Sequence, residues 1–418
     1  MNQTETTCAA PRLGPLGAEP PLSETAAMFQ ESVHRYAAEI MRPVGVALDR
    51  LSPEEVMAPA SPYWAARRKF VELGFGVDEL LAFAPAERAR MMSILYEELG
   101  WGDAGLAISY GVCQLPQYMC AVLGRMDLYA RYPSSMMGCW AITEPDHGSD
   151  SLDPNRMLFH PDGNYGRPNC IATIKKDEVV INGQKSAWVS NGSIAEVCIL
   201  YCAADSGGGP DPGRGCVVIV PLDAPGISRG KPLDKMGQRS LNQGEIFFDN
   251  VRLPQDHIIA GPESFQKATY LIHTVANGLM GGVFTGLARA AYEMALSYAL
   301  ERRQGGVPII RHQSVAQRIF HMFRKVEAAR ALTQRVILYN MVADAPALQA
   351  AMAVKVTATQ TAFEVASEAL QIFGGNGLTR EYPIEKLLRD ARASLIEDGC
   401  NEILAIKGGG YLADSSRL

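Results

Sequence analysis

Two adjacent carboxylates near the C-terminus are the residues best suited to acid–base chemistry. The segment SLIEDGCNEIL places Glu397 and Asp398 side by side, directly before Gly399. A carboxylate in a desolvated pocket holds its proton more tightly, and within hydrogen-bond reach of a substrate it can act as a general base. Either residue can fill this role, and the choice depends on the elements around the pair.

Two segments in the middle of the chain suit contact with a flat, polar ring. CWAITEPDHGSD, residues 139–150, combines an aromatic residue and a short strand with a turn that can present backbone N–H groups and small hydroxyls. QKSAWVSNG, residues 184–192, flanks Trp188 with hydroxyl and amide side chains. On these residues alone, the alternatives are a strand with a surface turn and a core tryptophan.

Glycine-rich segments occur at three further places. In QIFGGNGLTREYP, Gly374, Gly375 and Gly377 allow close backbone approach, and glycines that open a helix offer N–H donors to a phosphate. GGGPDPGRG (207–215) and KGGG (407–410) lack the order and spacing of a phosphate loop. The first is predicted to be a hairpin loop and the second to end a helix.

The hydrophobic pattern predicts helices, then strands, then helices. Helix formers dominate residues 23–129, β-branched runs alternate with turns from Gly138, and helical periods return near Gly261. This order indicates a β domain between two helical domains, placed at 1–137, 138–255 and 256–418. Two local signals are a tight turn at Asn182-Gly183 and a capping box of Ser314 with Gln317 at a helix start.

Composition limits the class of protein. The 418 residues carry a net charge of −6, which disfavours binding to nucleic acid or an anionic membrane. No apolar run reaches the roughly 18 residues of a membrane span. Nine cysteines without a CxxC pair indicate reduced thiols, and scattered histidines indicate no metal site. The N-terminal segment has no targeting pattern, so a cytoplasmic protein is expected.

The motifs together resemble the acyl-CoA dehydrogenase superfamily, from roughly Ser23 to Leu412. Five motifs occur in register: TEPxxGSD, a WxSNG strand, a helix with ER…HQ, QxFGGxG with EYP, and a final xxxGxxEI. One such motif is weakly specific, whereas five at the expected separations are strongly specific. The resemblance therefore favours functional interpretations of the segments above.

The resemblance implies a mainly α fold with central β: an N-terminal helical domain, a middle β-barrel and a C-terminal four-helix bundle. It also implies a homotetramer that binds FAD partly across a subunit interface. The positions implied to contact FAD are Trp140, Ile142, Thr143, Gly148, Ser149, Trp188, Ser190, Arg302, Gln313, Gln371, Gly374, Gly375, Cys400 and Glu402. Those implied to contact the substrate are Ser149, Asn277 and Gly399.

The resemblance also chooses between the two carboxylates. Aligning IEDGCNEI with the family pattern IYEGTxEI places Asp398 at the base position and Glu397 at the preceding aromatic. Glu397 is then interpreted as an exposed or salt-bridged neighbour. Some relatives carry the base on an earlier helix, where this chain has Ala276, followed by Asn277 in place of a common Arg. The Asp398 N–H and a flavin hydroxyl are implied to form the oxyanion site.

Three departures from the family pattern bear on the substrate. Aspartate is one methylene shorter than glutamate and withdraws the carboxylate by roughly 1.5 Å. Cys400 replaces a Thr, and Gly305 replaces a Phe that often packs near FAD. Within the superfamily, Asp at the base position is known from dehydrogenases of alicyclic acyl-CoA thioesters and from nitroalkane oxidases.

The function expected from these residues is FAD-dependent dehydrogenation of a short cyclic or branched acyl-CoA. Asp398 is the expected base and an electron-transfer flavoprotein the expected acceptor. The first alternative is an oxidase acting on an acyl-CoA or a nitroalkane, and the loss of Arg at Asn277 favours a substrate without CoA. The second is a non-redox lyase or binding protein that keeps the fold.

Overall fold

The first part of the chain is helical, as predicted. The structure is a computed structural model that describes residues 17–152 and 166–414. Ser23 caps the first helix, where its Oγ accepts the N–H of Ala26 at 3.2 Å. The helices before the first strand are α1 Glu24–Tyr36, α2 Arg42–Leu48, α3 Pro53–Met57, α4 Pro62–Glu72, α5 Val77–Ala82, α6 Pro85–Gly102, α7 Ala104–Cys113, α8 Leu115–Val122 and α9 Met126–Arg131.

Among the described residues, one mixed sheet of eight strands begins at Gly138, where the sequence pattern changes. The strands are β1 Gly138–Ala141, β2 Cys170–Ile174, β3 Glu178–Lys185, β4 Val197–Asp205, β5 Asp211–Pro221, β6 Ile227–Arg229, β7 Ile246–Pro254 and β8 Ile258–Ala260. Their order is β6-β7-β3-β2-β4-β5-β8, and β1 pairs in parallel with β4. The near-continuous apolar run of β4 is buried, as is typical of an interior strand, and β4 pairs with β1, β2 and β5.

Five α-helices form the last part of the chain as far as residue 414. They are α10 Phe265–Glu301, α11 Gln313–Val342, α12 Leu348–Phe373, α13 Ile384–Ser394 and α14 Asn401–Ala413, with a short hairpin of β9 Arg303–Gln304 and β10 Val307–Pro308 after α10. Of the helices in the two described ranges, α10 is the one long and apolar enough to cross a membrane. However, 89% of its most apolar window is buried inside the fold, as in a core helix.

Glycines allow α10 to cross α6 at close range. A Cβ on Gly100 of α6 would lie 2.0 Å from the carbonyl oxygen of Val283, and one on Gly286 of α10 would lie 2.0 Å from that of Glu97. Larger residues would therefore separate the two helices. Arg289 of α10 also reaches α6, where it pairs with Glu97 at 2.9 Å.

The local predictions had mixed outcomes. The hairpin at 207–215 is confirmed, since it joins antiparallel β4 and β5. The tight turn at Asn182-Gly183 is wrong: both residues lie inside β3, where the register shifts and Gly183 has φ 120°. The capping box at Ser314 is also wrong, because α11 begins at Gln313 without a side-chain cap. The KGGG segment does not end α14, which continues to Ala413. The three-domain division stays a prediction.

A buried charge cluster joins the three parts of the chain. Lys386 of α13 places its Nζ 2.6 Å from Asp103 Oδ2 and 2.6 Å from Asp390 Oδ2. Asp103 caps α7 through the Leu106 N–H, and Asp390 accepts the backbone N–H of Gln238, which lies between β6 and β7. The Lys386 ammonium therefore balances two carboxylates, one at the start of α7 and one on α13. The segment between β6 and β7 joins this cluster through the Gln238 N–H.

Replacing Lys386 with Met should destabilise the fold strongly. The change leaves the Asp103 and Asp390 carboxylates buried without their cation, and breaking such a pair costs about 3–5 kcal/mol. Urea unfolding of purified protein measures the effect. Lys69→Met is the matched control, since Lys69 and Glu72 form an exposed pair at 3.3 Å that contributes little. Equal stability of the two variants would contradict this role for the cluster.

Candidate active site

The carboxylate pair lies in a tight loop between α13 and α14. Asp398 and Gly399 have φ of 53° and 83°, so the chain reverses in the left-handed region within two residues. A Cβ at Gly399 would lie 2.8 Å from Leu152 Cδ1, so the position requires glycine for space as well as conformation. The Asn401 N–H closes the loop on the Leu395 carbonyl at 3.0 Å.

The two carboxylates have different partners. Glu397 Oε1 accepts a hydrogen bond from Gln238 Nε2 at 2.5 Å, and Glu397 is partly buried. The expectation that Glu397 is exposed or ion-paired is therefore wrong. The Asp398 side chain, in contrast, makes no hydrogen bond to any residue of the described ranges, so its oxygens are available to a bound molecule.

Desolvation gives both carboxyl groups a raised pKa. It raises the pKa of Asp398 to about 6, against the opposing effect of the Lys355 ammonium. It raises the pKa of Glu397 to about 7, with the Gln238 hydrogen bond opposing and the negative charge of Asp398 reinforcing the shift. A carboxylate with a pKa near 6 is ionised at neutral pH and is still a stronger base than an exposed one.

Lys355, which the sequence analysis did not single out, anchors the loop. Its Nζ donates to the Gly399 carbonyl at 2.8 Å and to Asn401 Oδ1 at 2.9 Å. The side chain is fully buried in α12, and desolvation lowers its pKa to about 8, although the charge of Asp398 opposes this. The one signal in the sequence is a lysine within the apolar helical segment AAMAVKVTA.

The predicted flavin-contact residues of β1 and its following turn are held by a second buried lysine. Lys185 of β3 donates to the Ile142 carbonyl at 2.9 Å and pairs with Glu144 at 2.6 Å. Ser186 N–H then donates to the Thr143 carbonyl at 3.0 Å. Trp140 is buried, and its indole N–H has no hydrogen-bond partner in the described ranges.

Trp188 is exposed, unlike a core tryptophan. Its side chain is 60% accessible, and the neighbouring Ser190 pairs with Gln243 in an isolated bridge. Gln243 Nε2 donates to the Trp188 carbonyl at 3.3 Å and to Ser190 Oγ at 3.4 Å. The backbone is thus fixed while the indole remains free to stack on a ring.

The turn after β1 meets the carboxylate loop. Ser149 Oγ accepts the Cys400 N–H at 3.2 Å, and Asn277 Nδ2 lies 3.5 Å from the Asp398 carbonyl. The fold therefore brings Ser149, Asn277, Gly399 and Cys400 together at Asp398. Gly148 lies beside this group with open space at its Cβ position, and Glu402 is exposed in the first turn of α14.

The remaining predicted cofactor residues form a separate, exposed group. They are Arg302, Gln313, Gln371, Gly374 and Gly375. Tyr298 near the end of α10 stacks on Phe373 at the end of α12 with ring centroids 4.1 Å apart, which brings these helix ends together. Arg302 is 25 residues beyond Asn277 and so lies about 37 Å from it along α10. One chain therefore does not bring this group to the Asp398 loop.

These residues fit a flavin dinucleotide. Trp188 offers an exposed ring face, and Trp140 of β1 offers an N–H that has no partner among the described residues. The Cβ positions of Gly148, Gly374 and Gly375 meet nothing within 4 Å, so a phosphate or ring can approach the backbone.

Comparison with known proteins agrees with this chemistry. Family models described as the acyl-CoA dehydrogenase middle and C-terminal domains match residues 139–251 and 275–407. A probable acyl-CoA dehydrogenase of Bacillus subtilis is 31% identical over 323 residues, covering 74% of this chain and 79% of that protein. The chain belongs to the acyl-CoA dehydrogenase family. It is an acyl-CoA dehydrogenase enzyme and depends on FAD.

Two further relatives match nearly the whole chain. The short-chain specific acyl-CoA dehydrogenase of Bos taurus is 28% identical over 408 residues, covering 95% of this chain and 92% of that one. The structure of a glutaryl-CoA dehydrogenase with glutaryl-CoA is 26% identical with a TM-score of 0.81, covering 94% of this chain and 96% of that one. The similarity thus extends across all three parts of the fold.

Replacing Lys355 with Met should move the acid limb of the pH–rate profile to higher pH. Turnover needs the ionised base, so kcat/KM falls as pH decreases through the pKa of Asp398, about 6. Without the ammonium this pKa rises, and the fall should begin about one unit higher. The measurement is kcat/KM between pH 5 and 8. Lys325→Met, which removes a surface partner of Glu364, is the control and should leave the limb in place; an identical limb in both variants would contradict the argument.

Proposed function

We propose that this acyl-CoA dehydrogenase acts on a short cyclic or branched acyl-CoA, with Asp398 as the base. The observation that carries the proposal is the contrast within the pair: Gln238 holds Glu397, whereas the Asp398 carboxylate is unbonded in the described ranges. Its raised pKa suits removal of a weakly acidic proton next to a thioester carbonyl.

The residues around Asp398 would each have a role in the reaction. The Asp398 carboxylate takes the α-proton, and the loop holds it in place through Lys355 and Gly399. The backbone N–H of Asp398 makes no hydrogen bond within the described ranges and can donate to the thioester oxygen, where negative charge develops. Bound FAD supplies the hydride acceptor, held by Trp140, Thr143, Trp188 and Ser190.

The length of the base supports the acyl group that we propose. An aspartate reaches roughly 1.5 Å less far than a glutamate, and a misplacement of about 1 Å can reduce a rate 100-fold. The shorter carboxylate requires an α-C–H bond that comes closer to it, and we propose that a ring or branch at the α-carbon places the bond there. Short-chain and glutaryl-CoA dehydrogenases among the relatives support a small acyl group.

The exposed second group supports a shared cofactor. Arg302, Gln313 and the strip of Gln371, Gly374 and Gly375 lie away from the Asp398 loop, so we propose that they meet the adenine half of a neighbouring subunit's FAD in a homotetramer. A guanidinium beside the pyrophosphate would pair with its charge. We further propose an electron-transfer flavoprotein as the acceptor and a cytoplasmic location.

Exchanging the two carboxylates for amides tests the base. Asp398→Asn should retain FAD and lose kcat by at least about 100-fold, the contribution of a general base. Glu397→Gln should reduce kcat only slightly, because the amide oxygen still accepts from Gln238. Flavin absorbance and steady-state kinetics measure both variants. Similar losses in the two would exclude the assignment of Asp398 alone.

Anaerobic titration with a panel of thioesters tests the substrate class. Straight-chain, branched, cyclohexane- and cyclohexene-carboxyl CoA esters, and separately a nitroalkane, are added while the oxidised flavin absorbance is followed. Bleaching by a cyclic or branched ester at lower concentration than by butyryl-CoA is the expected result. Preference for the straight chain would contradict the proposed acyl group, and bleaching by a nitroalkane alone would replace it with the nitroalkane alternative.

A further inference from the structure

One face of α10 carries three buried polar residues at a spacing of four. Thr269, His273 and Asn277 are each at most 4% exposed, and this spacing aligns them on one side of the helix. The Thr269 hydroxyl, both ring nitrogens of His273 and the Asn277 Oδ1 have no hydrogen-bond partner in the described ranges. We refer to these three residues as the polar stripe.

The polar stripe runs between the two halves of the active site. The His273 ring meets the Trp140 ring edge-on, with centroids 5.5 Å apart, and within the described part of the chain the Trp140 N–H is also unpaired. At the other end Asn277 Nδ2 contacts the carbonyl of Asp398. The stripe therefore connects the proposed flavin strand with the proposed base.

The unpaired state of the stripe is not imposed by the helix. Two other threonines of α10, Thr274 and Thr285, donate to the carbonyls four residues earlier at 2.8 and 2.7 Å. Thr269 forms no such bond. Buried polar groups are nearly always paired in folded proteins, so a row of them without partners indicates a bound molecule that completes the pairing.

The charge state of His273 limits what can bind. Desolvation and the nearby Lys407 ammonium lower its pKa to about 3, so the ring is neutral, with one nitrogen a donor and the other an acceptor. Threonine and asparagine likewise both donate and accept. Uncharged groups that also do both, such as a hydroxyl or an amide, match this set.

We propose that the polar stripe hydrogen-bonds an uncharged hydroxyl or amide group of the substrate within the active-site cleft. The inference rests on the proposed function, since it assigns the stripe to the same substrate. Two parts of a thioester can supply this chemistry: a hydroxyl on the acyl group, or an amide of the pantetheine arm.

Binding measurements without turnover test the inference. In an Asp398→Asn background, which prevents proton removal, isothermal titration gives dissociation constants for three probes: butyryl-CoA, 3-hydroxybutyryl-CoA and the butyryl thioester of ethanethiol, which has no amide. The variants are His273→Phe, which keeps a ring without nitrogens, and Thr269→Val. Thr274→Val is the matched control, because its hydroxyl is already paired within α10. Thermal melts establish that each variant is folded.

The expected result is a loss of roughly tenfold in affinity for one class of probe in His273→Phe or Thr269→Val, as for one or two hydrogen bonds, with less than twofold in the control. A loss confined to the hydroxylated probe places the polar group on the acyl chain. A loss for both CoA esters that spares the ethanethiol ester places it on the pantetheine arm.

Other outcomes would overturn the inference. Unchanged affinity in both variants would mean that the stripe takes no part in binding. An equal loss for all three probes would mean that the substitutions disturb the packing of the site and remove no specific hydrogen bond to the substrate. If no probe binds the Asp398→Asn parent, the proposed function fails together with the inference. If the parent binds the probes and the stripe variants bind them equally well, only the inference about the stripe fails.

Discussion

The buried cluster of Asp103, Lys386 and Asp390 is the constraint on which the active site depends. Charges removed from water are stable only with close partners in good geometry. The Lys386 Nζ lies 2.6 Å from a carboxylate oxygen of each aspartate. Asp103 belongs to the N-terminal helical part of the chain, whereas Lys386 and Asp390 belong to α13 in the C-terminal part. The cluster therefore sets how the N-terminal helices lie against α13, and α13 leads directly into the carboxylate loop.

The cluster also explains why two adjacent carboxylates differ. Gln238, whose backbone N–H binds Asp390, extends its side chain to Glu397. Glu397 is thereby tied to the structural network, whereas the Asp398 side chain has no hydrogen-bond partner in the described ranges. Lys355 holds the other side of the loop by its carbonyls and moderates the pKa of Asp398. Glu397 and Asp398 therefore differ in role mainly because different groups surround them: Glu397 is a structural acid and Asp398 is a candidate base.

The buried polar groups discussed above fall into two kinds, those with hydrogen-bond partners and those without, and the two kinds lie in different places. Lys185 with Glu144 and Lys386 with its aspartates are buried and satisfied, and they position backbone. The Trp140 N–H and the polar stripe, apart from Asn277 Nδ2, are buried and have no hydrogen-bond partner in the described ranges, and the stripe reaches the proposed base. Such exceptions to local consistency are expected at functional sites, where a ligand completes the pairing.

The sequence alone determined the order of helices and strands, the start of the sheet at Gly138 and the family, because periodicity and motifs are local properties. It also selected Asp398 over Glu397, through alignment to a motif of eight residues. It failed at Asn182-Gly183, where pairing with β7 overrode the local turn preference. Only the tertiary structure identified Lys355, Lys386, Gln238 and the polar stripe. Lys386 and Asp103 are 283 residues apart, and Gln238 is 159 residues from Glu397. The partner of a buried charge is set by how distant elements pack, and no local pattern in the chain records it.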